Sequence, residues 1–240
     1  MAMSSAAVSA LEVAPTQPAK RPRRPSGGSA RVDADRHGTA SLVTDQGQLR
    51  MAPLIAAMSR ELAPGAETQL RRHAGPDIVC MVIAGVLRYE PVAAPPVTLW
   101  AETIAVLSTG AGVDHRWRSI GDEPAQVVML WLAGPADGKP RMDLRMASRL
   151  KRLGALAPIA GRATGLPTHG DVSVMAGVLP VGGALVHTAR GRRSYVMSTI
   201  GAITVDGVDV AAGSGVLIER TGAIRIAAKH STEVLVVETA

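Results

Sequence analysis

The stretch that decides the fold reads Leu107-Ser108-Thr109-Gly110-Ala111-Gly112-Val113-Asp114-His115-Arg116-Trp117. An apolar run ends in this stretch, two glycines interrupt it, and a single histidine follows directly. Glycine adopts the backbone conformations of tight turns at little steric cost, so a Gly-rich segment predicts a bend. Residues two apart on a strand project to the same face. We therefore predict a bend that presents His115 and Trp117 on one face of a strand.

A second polar segment lies upstream, where Arg71-Arg72-His73 precedes the apolar strand that starts at Asp77. Arg71, His73 and Asp77 are all odd-numbered, so an uninterrupted strand would project them to one side. In a small barrel the inward faces of facing strands converge. These side chains are therefore expected to meet His115 and Trp117 at one site.

Short apolar runs separated by Gly and Pro turns continue along the rest of the chain, which is typical of an antiparallel sandwich or barrel. The predicted strands of the first half are Leu54–Leu62, Asp77–Ala84, Val86–Tyr89, Val97–Leu107 and Ala125–Ala133. Those of the second half are Val172–Leu179, Ala184–Ala189, Arg193–Ile200, Ala202–Val205, Val208–Val210, Val216–Glu219, Ile224–Ala227 and Val234–Glu238. Asp206-Gly207 predicts a type I′ hairpin in the second half.

The two strand sets divide the chain into four parts. Residues 1–45, rich in Ala, Ser, Pro and Arg, are expected to form a disordered basic tail. Residues 50–140 and 171–240 read as two copies of one jelly-roll architecture. Residues 141–170 between them form a connector with a short helical or irregular patch at 142–156. We therefore predict an all-β protein of two tandem barrels.

The composition of the chain argues against two classes of function, nucleic-acid binding and membrane association. The net charge of +6 invites a nucleic-acid role, but the basic residues are dispersed or lie in the tail at 20–24, and no binding motif accompanies them. A nucleic-acid factor acting through that tail remains a minor alternative. No apolar run is long enough to span a bilayer, and the N-terminus lacks the pattern of a secretory signal, so a cytoplasmic protein without membrane association is expected.

Several single residues are assigned structural roles. Cys80, the only cysteine, lies in an apolar run and is expected to be a buried structural thiol. Trp100 and Trp131 lie in strand-like runs and are expected in the core. The remaining histidines are interpreted as surface or structural residues: His37, His169, His187 and His230.

The two polar segments match a known spacing. Cupin proteins show Gly, five residues, His-x-His, three residues, Glu and a later Gly, and here Gly65, Arg71, His73, Asp77 and Gly85 occupy those positions. The second motif ends in Gly-x-x-His, as does Gly112-Val113-Asp114-His115. Together with Gly134-Pro135, Pro140, Arg145 and Gly191-Arg192-Arg193, this spacing resembles the pirin family of two-domain cupins.

The resemblance implies a metal centre in the first cupin barrel and the quercetin dioxygenase-type activity of some pirins. It also implies that the second barrel holds no metal. The chain departs from the family where Arg71 replaces the first histidine and Trp117 replaces the carboxylate. Guanidinium and indole have no lone pair to give a metal. His73 and His115 remain as ligands, with Asp77 as a possible third.

We therefore expect a degenerate site. In the preferred interpretation an Arg71–Asp77 ion pair replaces the metal and Trp117 fills the pocket; in the alternative, Asp77 completes a two-histidine, one-carboxylate set. The first favours a non-enzymatic, regulatory bicupin that binds a protein partner or a small aromatic or anionic ligand. The second favours a metal-dependent quercetin 2,3-dioxygenase-type oxidoreductase. The cofactor is expected to be none, or a weakly bound divalent metal with iron first.

Overall fold

The computed structural model describes residues 31–32, 40–43, 51–161, 165–191 and 193–239. Across these residues the chain forms strands, turns and one 3-10 helical turn at Leu150–Arg152. In the same part of the chain, no helix is long and apolar enough to cross a membrane. The predicted tail at 1–45 lies outside the described residues except for two short strands, β1 (Arg31–Val32) and β2 (Ala40–Val43).

The first half forms two facing antiparallel sheets. Its strands are β3 (Leu54–Leu62), β4 (Arg71–His73), β5 (Asp77–Ala84), β6 (Val86–Pro91), β7 (Val97–Trp100), β8 (Thr103–Ser108), β9 (Val113–Ser119), β10 (Ala125–Leu132) and β11 (Arg141–Met146). One sheet has the order β11-β8-β5-β10-β3, and the other has the order β4-β9-β6-β7. The second sheet carries both polar segments, because β4 and β9 are neighbours in it.

The second half repeats this arrangement. Its strands are β12 (Ala157–Gly161), β13 (Val172–Leu179), β14 (Ala184–Ala189), β15 (Arg193–Ser198), β16 (Ile203–Val205), β17 (Val208–Val210), β18 (Gly215–Ile218), β19 (Gly222–Ala228) and β20 (Thr232–Thr239). The larger sheet runs β1-β2-β18-β15-β20-β13-β12 and the smaller runs β14-β19-β16-β17. Two pairs of sheets confirm the predicted all-β fold of tandem cupin jelly-roll barrels.

The two large sheets pack against each other, and β5 shows how. Its even-numbered side chains, Ile78, Cys80 and Val82, lie in the core of the first barrel. Its odd-numbered side chains, Val79, Met81 and Ile83, lie in a core shared with Val174, Tyr195 and Leu235 of the second half. Because both faces of β5 are buried, its sequence is a continuous apolar run rather than an alternating one.

The hairpin predicted in the second half is present at Asp206-Gly207. Asp206 and Gly207 have φ values of 50° and 84°, and Val205 pairs with Val208 across the turn. A type I′ turn requires positive φ at both central residues. The predicted hairpin is therefore confirmed, and it joins β16 to β17 in the smaller sheet.

The connector begins with a strand where a helical or irregular patch was predicted. Residues 141–146 form β11, which pairs with β8 from Arg141↔Ser108 to Met146↔Thr103. The 3-10 turn follows, and Arg152 at its end forms a buried ion pair with Glu233 at 2.7 Å. Local Leu, Met and Arg content favours a helix weakly, and the open edge of β8 supplies backbone partners that outweigh it.

Two further details correct the sequence analysis. The predicted strand Val97–Leu107 is two strands, because the chain turns at Ala101-Glu102, where Glu102 has a φ of 68°. Trp100 ends the first of them and is 62% exposed, so its predicted place in the core is wrong. Trp131 and Cys80 are buried as expected, and burial raises the pKa of the Cys80 thiol to about 12, which makes it unreactive.

Candidate functional site in the first barrel

Strands β4 and β9 bring the two histidines of the polar segments together. Their register pairs Arg71 with His115 and His73 with Val113. Since β-strand side chains alternate, Arg71, His73 and His115 share one face of this sheet, and Trp117 follows two residues later on the same face. The tight turn at Gly110 and Gly112, both with positive φ, returns the chain into β9.

The imidazoles of His73 and His115 form a hydrogen bond, with 2.9 Å between Nδ1 of His73 and Nε2 of His115. One ring donates its N–H and the other accepts, so each ring uses one nitrogen for this contact. His115 is 2% exposed, and its Nδ1 is buried without a hydrogen-bond partner. A buried polar atom left unpaired costs free energy, and such atoms cluster at functional sites.

Two aromatic side chains form the walls around His115. The ring centroid of Tyr89 lies 5.2 Å from that of His115 and 4.9 Å from that of Trp117. Trp117 meets His115 edge-on at 5.8 Å. Tyr89 is a residue that the sequence analysis missed, and its signal is positional, because the β6–β9 register places it opposite Trp117.

The electrostatics of the site keep both imidazoles neutral. Burial and then the neighbouring His73 lower the pKa of His115, Asp114 opposes the shift, and the resulting pKa is about 3. Burial and then the positive charge of Arg71 lower the pKa of His73. Burial also raises the pKa of Tyr89 to about 12. The site is therefore an uncharged cluster of aromatic and imidazole rings with one guanidinium beside it.

Arg71 lies next to the histidine pair rather than in an ion pair. Its Nη2 donates to Oε1 of Gln69 at 2.9 Å, while its Nε is buried without a hydrogen-bond partner. The guanidinium occupies the position that the spacing assigns to the first histidine ligand, and it lowers the affinity of the site for any cation.

Asp77 lies elsewhere. It is fully buried, and its carboxylate accepts the backbone N–H of His169 at 2.6 Å and lies 3.0 Å from the Nδ1 of the same residue. Gly75, with a φ of 98°, turns the chain between β4 and β5. Asp77 then belongs to a different sheet and faces the second half with Val79.

The expected shared face of Arg71, His73 and Asp77 is therefore wrong, because a turn interrupts the alternation. The expected Arg71–Asp77 ion pair is likewise not formed between these two described residues. His169, interpreted from the sequence as a surface or structural histidine, is the partner that holds Asp77.

The donor set of the site does not complete a metal centre. Two ligands bound at right angles to one ion at about 2.1 Å would lie ~3 Å apart, which is close to the His73–His115 separation. The other two positions hold Arg71 and Trp117, which cannot ligate. Among the residues that the structure describes, no group of three or more His, Cys, Asp or Glu side chains is placed to hold an ion.

Comparisons with known proteins agree with this architecture. Residues 155–239 match the family described as Quercetinase C-terminal cupin domain. The chain is 24% identical to "Putative quercetin 2,3-dioxygenase PA1210" of Pseudomonas aeruginosa, over 75% of this chain and 80% of that protein. It is 21% identical to a "Pirin-like protein" of Caulobacter vibrioides, over 87% of this chain and 93% of that protein.

Among solved structures, the bacterial pirin YhhW of Escherichia coli in complex with nickel(II) has the same fold. The TM-score is 0.69 at 16% identity, covering 88% of this chain and 95% of that one. The predicted resemblance to pirins is thus confirmed, by the domain match in the second half and by the shared fold of both halves.

Proposed function

We propose that this pirin-like bicupin binds a small aromatic ligand in its first barrel and acts as a binding protein without a complete catalytic metal centre. The observation that carries the proposal is the neutral His73–His115 pair, held at 2.9 Å between aromatic walls, with Arg71 beside it. A metal centre needs anionic or additional imidazole donors at those positions. A hydrogen-bonding, aromatic-lined pocket needs none.

The chemistry of the pocket indicates the kind of ligand. Tyr89 and Trp117 are buried rings that pack against each other and against His115, so the surroundings of the half-buried His73 are aromatic and favour a flat aromatic ligand. Nδ1 of His115 and Nε of Arg71 are buried polar atoms that lack partners. A phenolic ligand would satisfy both, because its hydroxyl pairs with the imidazole and its oxygen accepts from the guanidinium. Through that binding the protein would regulate a protein partner, as we expect for a non-enzymatic bicupin.

The second candidate is a metal-dependent quercetin 2,3-dioxygenase-type oxidoreductase. Two observations favour it: the spacing of the two imidazole nitrogens suits two ligands of one ion, and one relative carries the name of that activity. The described residues supply two ligands only, so this candidate requires donors that the pocket does not hold in its present arrangement.

Quercetin distinguishes the two candidates. We expect purified protein to bind quercetin, measured by calorimetry, and to consume no oxygen with it when iron, manganese, nickel, cobalt or copper is supplied. His115→Ala should weaken quercetin binding about tenfold, because it removes a buried polar contact. His230→Ala, which changes an exposed histidine of the second half, should leave binding unchanged.

The metal content of the purified protein tests the dioxygenase candidate. Stoichiometric iron or manganese in the purified protein, together with oxygen-dependent turnover that is lost in His115→Ala, would overturn the binding proposal in favour of the dioxygenase. Absence of quercetin binding would contradict both. The double variant Arg71→His, Trp117→Glu restores the full ligand pattern and should gain nickel(II) binding by calorimetry if those side chains occupy ligand positions.

A further inference from the structure

The second barrel contains a polar pair that the first site does not use. Nε2 of His187 on β14 lies 2.8 Å from Oε1 of Glu238 on β20, and each side chain is 12% exposed. The same carboxylate oxygen accepts the backbone N–H of Arg190 at 3.2 Å. These residues are 51 positions apart, so the barrel closure alone brings them together.

The pair lies on the inner side of the second barrel. Glu238 shares a face of β20 with Val234 and Val236, which belong to the barrel core. Its cross-strand neighbour on β15 is Ser194, which is fully buried and whose hydroxyl has no hydrogen-bond partner. An unpaired buried hydroxyl beside a carboxylate marks a polar spot in an otherwise apolar interior.

A cavity of about 390 Å³ opens next to this pair. It lies between residues 154–156 of the connector and residues 185–188 of β14, and His187 is one of its walls. β14 is an edge strand of its sheet, since its neighbour there is β19 alone. The cavity lies along this open strand edge, and its volume is that of a small-ligand pocket.

Hydrogen-bond chemistry defines what the cavity would accept. A carboxylate only accepts, so Nε2 of a neutral His187 carries the proton that it donates to Glu238, and Nδ1 is left as an acceptor. Glu238 stands behind His187 and fixes which ring nitrogen carries the proton, while His187 is the polar side chain that lines the cavity. Leu156 and Leu185 supply apolar surface next to His187. The site therefore suits a compact aromatic body with a hydroxyl donor.

We propose that the second barrel binds a small phenol such as catechol, with a hydroxyl against Nδ1 of His187 and its ring against Leu156 and Leu185. This site is separate from the histidine pair of the first barrel and does not depend on the function proposed for it. The cavity and the His187–Glu238 hydrogen bond support the proposal together, because Glu238 orients the imidazole that lines the cavity.

Catechol is the probe for the test, and amide chemical-shift mapping on the full chain is the first measurement. Millimolar catechol should shift the resonances of residues 154–156 and 185–188. His187→Ala should raise the dissociation constant about tenfold or more, because it removes the acceptor for the hydroxyl. Glu238→Gln should raise the dissociation constant as well, because an amide can donate or accept and no longer fixes which nitrogen of His187 is the acceptor. His230→Ala is the matched control in the same half, and His115→Ala tests the first barrel.

The proposal is overturned if catechol shifts no resonance of 154–156 or 185–188 in the unaltered protein, a result that does not depend on how any variant folds. Shifts confined to residues around His73 and His115, abolished by His115→Ala, would assign catechol to the first barrel and equally contradict it. Retained affinity in both His187→Ala and Glu238→Gln, with folding verified from the same spectra, would exclude the polar pair as the recognition element.

Discussion

At the scale of single residues, His115 carries most of the chemistry of the first barrel. Its ring contacts His73, Tyr89 and Trp117, and its Nδ1 is buried without a partner. A protonated imidazole in this position would face the charge of Arg71 through His73 and lose its hydration. The neutral form is therefore a condition of the packed site.

The low pKa of His115 implies that the stability of the protein depends on pH. The pKa of His115 is about 3 in the folded protein and about 6.5 in an unfolded chain. Between these values the unfolded chain binds more protons, so the free energy of unfolding falls as the pH drops below 6.5. From pH 7 to pH 5 this single group accounts for about 2 kcal/mol.

Urea unfolding at pH 7 and pH 5 measures that loss. His115→Asn removes the titrating ring, so the variant should lose about 2 kcal/mol less than the unaltered protein over this interval. His230→Asn, at an exposed position, should lose as much as the unaltered protein. Equal losses in His115→Asn and the unaltered protein would show that His115 is protonated in the folded state at pH 5.

At the scale of elements, the turn between β5 and β6 depends on Gly85. This residue has a φ of 74°, and a Cβ added to it would lie 2.5 Å from the carbonyl oxygen of Pro124. Gly65 has nearly the same φ, 75°, yet a Cβ there meets nothing within 4 Å. Substitutions at these two glycines therefore distinguish the cost of a left-handed backbone, present at both positions, from the cost of a steric overlap, present at Gly85 alone.

We expect Gly65→Ala to cost about 1 kcal/mol of unfolding free energy through the left-handed backbone alone. Gly85→Ala adds overlap with the neighbouring backbone and should cost about 2–4 kcal/mol. Thermal unfolding followed by circular dichroism compares the two. Similar losses would mean that the β5–β6 turn shifts to make room and that close approach is not what requires glycine there.

At the scale of the whole molecule, the two barrels are joined through the apolar core between their large sheets. Met81 of β5 points into that core, with Leu235 and Val237 of β20 in the same cluster. Val82, its neighbour in sequence, points into the first barrel instead. The Asp77–His169 contact closes the same interface at the start of β5.

Met81→Ala tests this coupling. Removing a buried side chain from a core costs about 2–5 kcal/mol, and here the cavity faces the second half. Hydrogen exchange of β13 and β20 amides should accelerate more in Met81→Ala than in Val82→Ala, which places its cavity inside the first barrel. Equal acceleration in the two variants would indicate that the interface does not stabilise the second half separately.

Local pattern was sufficient for much of this architecture. β3, β5, β13, β14 and β17 have the predicted bounds, because period-two alternation, apolar runs and Gly or Pro turns are properties of neighbouring residues. The hairpin at Asp206-Gly207 and the pairing of the two polar segments follow from the same signals. A likeness to pirins could also be inferred from motif spacing, since spacing survives when the ligands change.

The tertiary structure alone decided which of the polar side chains meet. The alternation of side chains along a strand predicted that Asp77 and His73 share a face. The turn at Gly75 instead places Asp77 in the other sheet, where His169 binds it. Residues 141–146 become a strand because β8 has an open edge. The His187–Glu238 pair joins strands 51 residues apart. In each case the deciding interaction is non-local, so its partner is absent from any window of sequence that could be read for pattern.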